Sequence, residues 1–571
     1  MKFQKHKRTI FLLGVLIFLF FSAQPVSAVG LFDLKTFNVD KNFDASARTQ
    51  ITATLIKTTN NLYFYIEKTW WDSQLLAKQN EILNDLDGLS SEFDNKIYPT
   101  LTSMFGNERK PGVDGDNRIT VLFEAMNSNE GGYFREADGY IKLQVPTSNE
   151  KEMVYLSLDR VDDPRVKIVL AHEFLHLITF NQKNKILGVE EDVWLNEARA
   201  DYTSTILGYD SNYEGSNLRQ RVYDFIANPS DAITEWTGTK YDYASASLFM
   251  HYLVDHYGVG ILIDSLKSKY AGVGGINYAL QKAGSEDTFE DIFTDWTIAV
   301  ILNNCSASQK YCYLNQNLKN FKLSPALNFL PLTGNVSLSV TNVTKNWTGN
   351  WLKFIGGNGG LKLDFSSLRG LNFIVPYIVE DSAGTRKVEF LELDKDEKGQ
   401  INIKNFGSDY KSLIIIPSLQ SGMLSTDGLE PTYPYTYAIS VVGAGSVGDQ
   451  SRIQELLDQI AYLRAEIAKI LAQDNSGNGT FCTRIDVNLY FGMKNNNNVK
   501  CLQEFLKNQG SDIYPEGLVT GNFANLTRAA VMRFQEKYAP DILFPLGLSS
   551  ATGYVGPSTR VKINSIFSEM Q

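Results

Sequence analysis

Between Gln50 and Lys68 the apolar positions fall on every second residue: Ile51, Ala53 and Leu55, then Leu62, Phe64 and Ile66. That period predicts two strands joined at Thr59-Asn60-Asn61. Over residues 73–105 the spacing changes to threes and fours (Leu76, Ile82, Leu83, Leu86, Leu89, Phe93, Ile97), which predicts helix. The turn Gly112-Val113-Asp114-Gly115-Asp116 leads into Arg118-Ile119-Thr120-Val121-Leu122-Phe123, a buried-strand pattern. Residues 164–300 are mostly helical by the same criterion. From about 332 to 442 the pattern becomes short β-rich runs, such as Val336-Ser337-Leu338-Ser339-Val340 and Leu413-Ile414-Ile415-Ile416, separated by Gly, Asn and Asp. These predict a β-sandwich.

Beyond the glycine-rich stretch 443–448, Ile453, Leu456, Ile460, Leu463, Ile467 and Ile470 alternate steps of three and four, a heptad seam. The seam is short, so docking of a lone helix and self-association into an oligomer both remain open. A second linker, 474–480, precedes a compact C-terminal segment. The chain is thus expected to be multidomain. A leader occupies 1–28 and an N-terminal segment 29–45. An α+β domain follows at 46–325, and the sandwich at 326–442. A linker at 443–480 carries the heptad helix (450–472), and a small helical domain closes the chain at 481–571.

The leader has a basic head (Lys2, Lys5, Lys7, Arg8), an apolar run from Ile10 to Phe21 and small residues up to Ala28. That order reads as a secretory signal peptide. The run is short for a membrane anchor, and no later segment is long and apolar enough to span a bilayer. The expected address is secreted or associated with the cell envelope. Four cysteines suit an oxidising compartment. Pairing within each block, Cys305 with Cys312 and Cys482 with Cys501, is expected, because no C-x-x-C spacing suggests a zinc–thiolate site. With 54 Lys and Arg against 64 Asp and Glu, the net charge of −10 argues against a nucleic-acid partner.

Only five histidines occur, and two lie in Ala171-His172-Glu173-Phe174-Leu175-His176. The run follows Asp163-Pro164, a helix start with Asp as N-cap and Pro at the first helical position. His172 and His176 then project from one face and can share a tetrahedral metal. Glu173 stands beside them, placed to hold an attacking water. Chance predicts on the order of 0.002 such patterns in a chain with so few histidines, which argues against two incidental ones.

A catalytic zinc needs a third protein ligand and one open position. The metzincin pattern would place Gly at 179 and His at 182; Thr179 and Gln182 exclude it. On the next predicted helix, Glu197 and Asp201 are again one turn apart. Glu197 can complete the ligand set, and Asp201 can accept a hydrogen bond from the non-ligating nitrogen of a histidine. Read without the histidine motif, both would be solvated charges on a helix face. The Asp-Gly loop at 112–116 offers carboxylates for calcium, but its ligand run is too short for an EF-hand and an ordinary turn is the plainer reading.

His172-Glu173-x-x-His176 followed by Asn196-Glu197-x-x-x-Asp201 resembles the gluzincin zinc metallopeptidases, the thermolysin-related group. Ala171 to His176 with Asn181-Gln182 and Trp194-Leu195-Asn196-Glu197 is similar to the hyicolysin-type peptidases. Gly132-Tyr133-Phe134 with Asp138, and the strand–helix entry from about Thr52, fit as well. The resemblance spans roughly 45–320. It implies a zincin-like catalytic domain at 46–325, with His172, His176 and Glu197 on zinc. Glu173 would be the general base and acid, and Asp201 an outer partner of the ligands. Gluzincins also use a Tyr or His on a later helix to stabilise the oxyanion. Tyr243, in Tyr241-Asp242-Tyr243-Ala244, is the candidate chosen, ahead of Tyr241, Tyr202 and His251. His256, near the helix end before Gly258, reads as a surface residue.

The C-terminal order Leu502-Gln503-x-Phe505-Leu506, Thr520-Gly521-x-Phe523, Thr527-x-x-Ala530-Val531-x-x-Phe534-Gln535 resembles the peptidoglycan-binding domain of wall hydrolases, a small three-helix module. It departs by having Ala524 or Asn525 where Gly is usual and by an insertion at 541–557. Together these features predict a secreted zinc endopeptidase acting on a protein or peptide substrate, with peptidoglycan as a second partner. A wall-lytic metallopeptidase and a non-catalytic envelope-binding protein are the alternatives.

Overall fold

Six strands build the first sheet: β1 (Leu34–Asn38), β2 (Gln50–Thr58), β3 (Leu62–Glu67), β4 (Ile119–Glu124), β5 (Gly132–Phe134) and β6 (Met153–Ser157), in the order β1-β2-β3-β4-β6-β5. β3, β4 and β6 run parallel, while β1, β2 and the edge strand β5 pair antiparallel. Every residue of β3, β4 and β6 is buried. That is the consequence of covering both faces, and it explains why these strands read as continuous apolar runs. One face carries Phe64, Val121, Phe123 and Leu156 against the helices. The other carries Tyr63, Tyr65, Leu122, Tyr133 and Tyr155, closed over by Phe37 and Val39 of the N-terminal segment.

This computed structural model describes residues 30–128, 130–331, 336–421, 430–442, 484–493, 496–510, 512–515, 517–546, 548 and 551–569. The expected leader, the heptad helix, both linkers and Cys482 lie outside the described residues. What is described forms two units, one before and one after the stretch 443–483. The chain is a multidomain protein of mixed helices and sheets, with a sandwich-like β region and C-terminal helices.

In the first unit, α1 (Lys68–Ser73), α2 (Leu76–Glu92) and α3 (Tyr98–Phe105) cross from β3 to β4, and α4 (Val166–Thr179) follows β6. α4 starts two residues later than Asp163-Pro164 suggests. The Asp163 carboxylate accepts the Arg165 N–H at 2.8 Å and grips its guanidinium, so the chain turns once before the helix begins. Gly132 is needed where α4 meets the sheet edge: a Cβ there would lie 2.6 Å from the Tyr155 carbonyl and 2.9 Å from Val169. Then come α5 (Val193–Asp201), α6 (Thr203–Ile206), α7 (Asn217–Ala227), α8 (Lys240–Tyr257), α9 (Gly260–Leu266), α10 (Gly272–Lys282) and α11 (Phe289–Leu302). A disulfide joins Cys305 to Cys312; Cys501 is also disulfide-bonded.

The β-rich region forms a nine-stranded sheet and a two-stranded ribbon. Its two halves meet edge to edge only at the pair Phe406–Tyr410, where the sheet folds over itself. Phe354 and Ile415 from one half then pack on Leu363, Tyr437 and Ile439 from the other. The run Leu413-Ile414-Ile415-Ile416 is buried throughout. Alternate side chains of a strand face opposite ways: Leu413 and Ile415 join the sandwich core, whereas Ile414 and Ile416 join the core of the helices. Trp347 stacks edge-on against Phe289 and Phe293 of α11, and Trp351 Nε1 donates to the Thr297 carbonyl at 2.9 Å. One face of the sandwich is therefore part of the helical core.

The second unit holds helices Asn497–Asn508, Asn525–Lys537 and Pro557–Glu569 around Leu502, Phe505, Val531, Phe534 and Ile563. It contains a repeat not read from the sequence. Gln503 Oε1 accepts the N–H groups of Thr520 and Gly521, and its Nε2 donates to the Asn522 carbonyl and the Thr527 hydroxyl. Thirty-two positions on, Gln535 does the same with Thr552, Gly553, Tyr554 and Thr559. Each buried amide is fully engaged, which pins a Thr-Gly turn against a helix start.

Because Trp351 is buried between sandwich and helices, Trp351→Ala is expected to cost about 3–5 kcal/mol of stability. Chemical denaturation of the variant beside the wild type, followed by a probe on each side of the seam, measures this. Loss of the sandwich signal alone would contradict the shared core.

Candidate metal centre

α4 is apolar on nearly every side: Leu170, Ala171, Phe174, Leu175, Leu177 and Ile178 are buried. Packing that helix against α5, through Trp194, Leu195 and Ala198, carries three polar groups into the same space. His172 Nε2 lies 3.1 Å from Glu197 Oε2 and 3.1 Å from His176 Nε2, and His176 Nε2 lies 3.5 Å from Glu197 Oε1. Among the described residues, this is the group of His, Cys, Asp and Glu whose donor atoms converge closely enough for a metal ion, all within 4.8 Å.

The donor set fits zinc. Two imidazole nitrogens and one carboxylate converge, and three protein ligands leave a tetrahedral ion one open position. Burial lowers His176 but the Glu197 carboxylate overrides it and pushes the imidazole up to about 9. Burial raises Glu197, and the two imidazoles more than reverse that, holding its carboxyl well below the usual range. Glu173 is buried beside the cluster; desolvation pushes its carboxyl up against the pull of both histidines.

Asp201 sits one turn beyond Glu197, but its hydrogen bonds go elsewhere than expected. Its carboxylate accepts from Asn217 Nδ2 at 2.7 Å and from Arg221 at 2.8 and 3.2 Å, while His172 acts on it only through charge. Arg221 from α7 is thus a residue the sequence reading missed, and it lies 4.7 Å over the Tyr243 ring as well. Asn196 is another. Its Oδ1 and His176 Nδ1 are both buried without another partner, and the Asn196 side chain raises the histidine's hold on a proton.

Tyr243, near the start of α8, packs edge-on against Trp236. Burial and then the charges of Glu197 and Glu173 push its phenol up, which places it in the field of the centre. The other candidates have different neighbours. Tyr202 stacks on His251, and after burial the charges acting on it are those of Asp255 and Asp210. His251 is buried against Asn315 and pushed down to about 4. Tyr241 lies under Lys240, and His256 bonds the Cys312 carbonyl. In the Asp-Gly loop, Asp114 pairs with Lys151, and Asp116 with Tyr63 and Arg118. Both carboxylates are held by neighbouring side chains, as in an ordinary turn, and among the described residues no group of three His, Cys, Asp or Glu side chains converges at this loop.

One curated relative and one family model match parts of the chain. A stretch of 129 residues is 35% identical to the neutral metalloprotease ShpI of Staphylococcus hyicus, covering 20% of this chain and 28% of that protein. Residues 495–563 match the family model "Putative peptidoglycan binding domain". Among solved structures, the pre-peptidase C-terminal domain of Bacillus anthracis collagenase is 7% identical, covering 20% of this chain and 96% of its own at a TM-score of 0.14. Aeromonas hydrophila PliG, a lysozyme inhibitor, is 10% identical, covering 21% and 100% at 0.14. Scores so low carry no argument.

Arg221→Ala should leave Asp201 as a buried charge without its cation, at about 3–5 kcal/mol near neutral pH. Asp201 is held below its ordinary value in the folded protein, so its contribution is present above the unfolded carboxyl value, near 4, and is lost as pH falls through the folded one. The stability difference between variant and wild type should therefore shrink on acidification. Denaturation series at several pH values read it; a difference independent of pH would contradict the pairing.

Proposed function

We propose that the chain is a secreted zinc endopeptidase of zincin-like fold, retained at the bacterial cell wall by its C-terminal unit. The observation that carries this is the convergence of His172, His176 and Glu197 beside the buried Glu173. The similarity to a protein named a neutral metalloprotease, and the match of residues 495–563 to a peptidoglycan binding family, support the two halves of the reading. Among the described residues no helix is long and apolar enough to cross a membrane.

His172, His176 and Glu197 would hold the zinc, which when bound supplies Lewis-acid polarisation of a carbonyl and of water. Glu173 would take the proton of the attacking water and deliver it to the leaving amine nitrogen. A carboxyl whose pKa is raised by burial is suited to both directions of that transfer. Tyr243 would donate to the oxyanion formed from the scissile carbonyl, because its phenol keeps its proton. Asp201, fixed by Arg221 and Asn217, would orient the centre through its charge on His172.

Purified protein should then contain about one zinc per chain, and His172→Ala with Glu197→Ala should abolish it. Glu173→Gln should keep the metal and lose about 10² to 10⁴-fold in turnover. Tyr243→Phe should keep metal and melting temperature while lowering kcat by about 10² to 10³. Metal analysis beside peptide turnover separates these roles; full zinc in the double variant, or near-normal turnover in Glu173→Gln, would remove the assignment.

The wall reading makes a separate statement. Full-length protein should sediment with purified sacculi, and protein truncated after residue 446 should stay in the supernatant while still cleaving a soluble peptide. Casein and sacculi digested in parallel, with and without chelator, distinguish a protein substrate from peptidoglycan cross-links. Equal sedimentation of both forms would end the targeting role.

A further inference from the structure

Alongside α4 lies a cavity of about 390 Å³ that the chemistry above leaves unused. It sits within the roughly 300–1,000 Å³ range of ligand sites. Its walls include Gly131, Val169 and Asn217 together with three arginines, Arg160, Arg165 and Arg219, and no described Asp or Glu lines it. The carboxylates that pair with those arginines stand behind the wall. Asp163 takes Arg165 at 2.9 Å and one nitrogen of Arg160 at 3.4 Å, and Glu214 takes Arg219 at 2.8 Å. The Arg165 and Glu214 side chains are 66% and 71% exposed, so two of these pairs are screened and readily exchanged for another carboxylate. A guanidinium has five N–H donors, so each keeps donors to spare for a second acceptor.

Two of the elements that line the cavity are tied to the metal centre: α4 carries its histidines, and Asn217 at the start of α7 bonds Asp201. Val169 is one helical turn, about 6 Å, before Glu173. Asn217, on its opposite side in the sequence, donates to the Asp201 that acts on His172. An extended peptide advances about 3.3 Å per residue. A substrate bonded at the centre would place a side chain one or two positions from the scissile bond into this space.

We infer that the arginine-lined cavity between α4 and α7 is a specificity subsite that takes an acidic side chain of the substrate. The inference rests on the endopeptidase reading, and it deepens that reading by naming the substrate class. A Glu or Asp entering meets three guanidinium groups with donors to spare, and paired guanidinium–carboxylate bonds are among the strongest neutral-pH contacts a surface cleft offers. A lysine would meet three like charges, and a leucine would offer those donors no acceptor.

The test uses full-length zinc-loaded protein and peptides that differ only in the two residues on each side of one scissile bond, carrying Glu, Gln, Leu or Lys in turn. Glu should exceed Gln by at least tenfold in kcat/KM at one of those positions, and the advantage should fall with added salt. In Arg165→Gln, Arg219→Gln protein the Glu-to-Gln ratio, which cancels any general loss of turnover, should fall towards one. The same peptides titrated calorimetrically into Glu173→Gln protein should repeat the order without turnover. Equal cleavage of Glu and Gln peptides by the wild type would overturn the subsite. So would a Glu preference that survives the double substitution. Cleavage of none of the peptides, with zinc bound, would instead overturn the endopeptidase reading and take the subsite with it.

Discussion

α4 has to be buried for the first sheet to have a core, yet it carries His172, Glu173 and His176. Burying charge is costly unless it is paired, and an uncompensated buried ion costs several kcal/mol. The surrounding helices are arranged around that constraint. α5 supplies Glu197 against the two histidines, and α7 supplies Arg221 against the Asp201 that α5 also buries. At the far end of the pair, Lys183 beyond α4 and Arg199 of α5 both bind Glu191, with all three side chains almost wholly buried. Lys183 also donates to the carbonyls of Ser265 and Tyr270, and the Gly272 N–H donates to Glu191. The two helices are thus fixed by ion pairs at both ends, which sets where Glu197 can stand relative to the histidines.

The sandwich belongs to the same construction. α11 is buried along its whole length and needs cover on the side away from α8. Trp347 and Trp351 provide it, with Gln420 donating to Thr294 and Lys345 pairing with Glu235 at the seam. α8, which positions Tyr243, packs against α5 on one side and, through Phe249, against the α11 aromatic cluster on the other. The β region therefore supports the centre at one remove, through α11 and α8.

Local spacing carries chemistry that lies within one helix, and this is why the His172–His176 pair could be picked out along the chain, whereas Glu197 on the next helix gained meaning only once that pair was in view. Strands β2, β3 and β4 were legible for the same reason, since a period of two or a buried run is a local property. The capping role of Asp163 was legible too: its carboxylate accepts the Arg165 N–H two residues on, although the regular α4 begins only at Val166 because the first turn is tighter. Arg221 was invisible: its partner Asp201 is 20 residues away, across α6 and a loop, and an arginine on a polar stretch of α7 carries no mark of burial. The sharing of the sandwich core lay in the uninterrupted run Leu413–Ile416, which identified a strand without saying that two different cores claim its two faces. In the C-terminal unit the equal spacing of Gln503 and Gln535 from their Thr-Gly turns was present in the letters. It acquires meaning only once both amides are seen to be buried and fully bonded.

An oxyanion donor has to come within hydrogen-bond reach of the developing charge and keep its proton as that charge forms. Burial holds the proton on the Tyr243 phenol, and the charges of Glu197 and Glu173 act in the same direction. Arg221 works against both, but its guanidinium lies over the ring and is committed to Asp201. His251, the alternative on the same helix, is pushed down to about 4 by burial, so it is a neutral imidazole at neutral pH, with Asn315 at its Nδ1 and Tyr202 against its ring. In the proposed mechanism the two groups on α8 thus divide by environment: the phenol faces carboxylates and stays a donor, while the imidazole faces packing and is part of it.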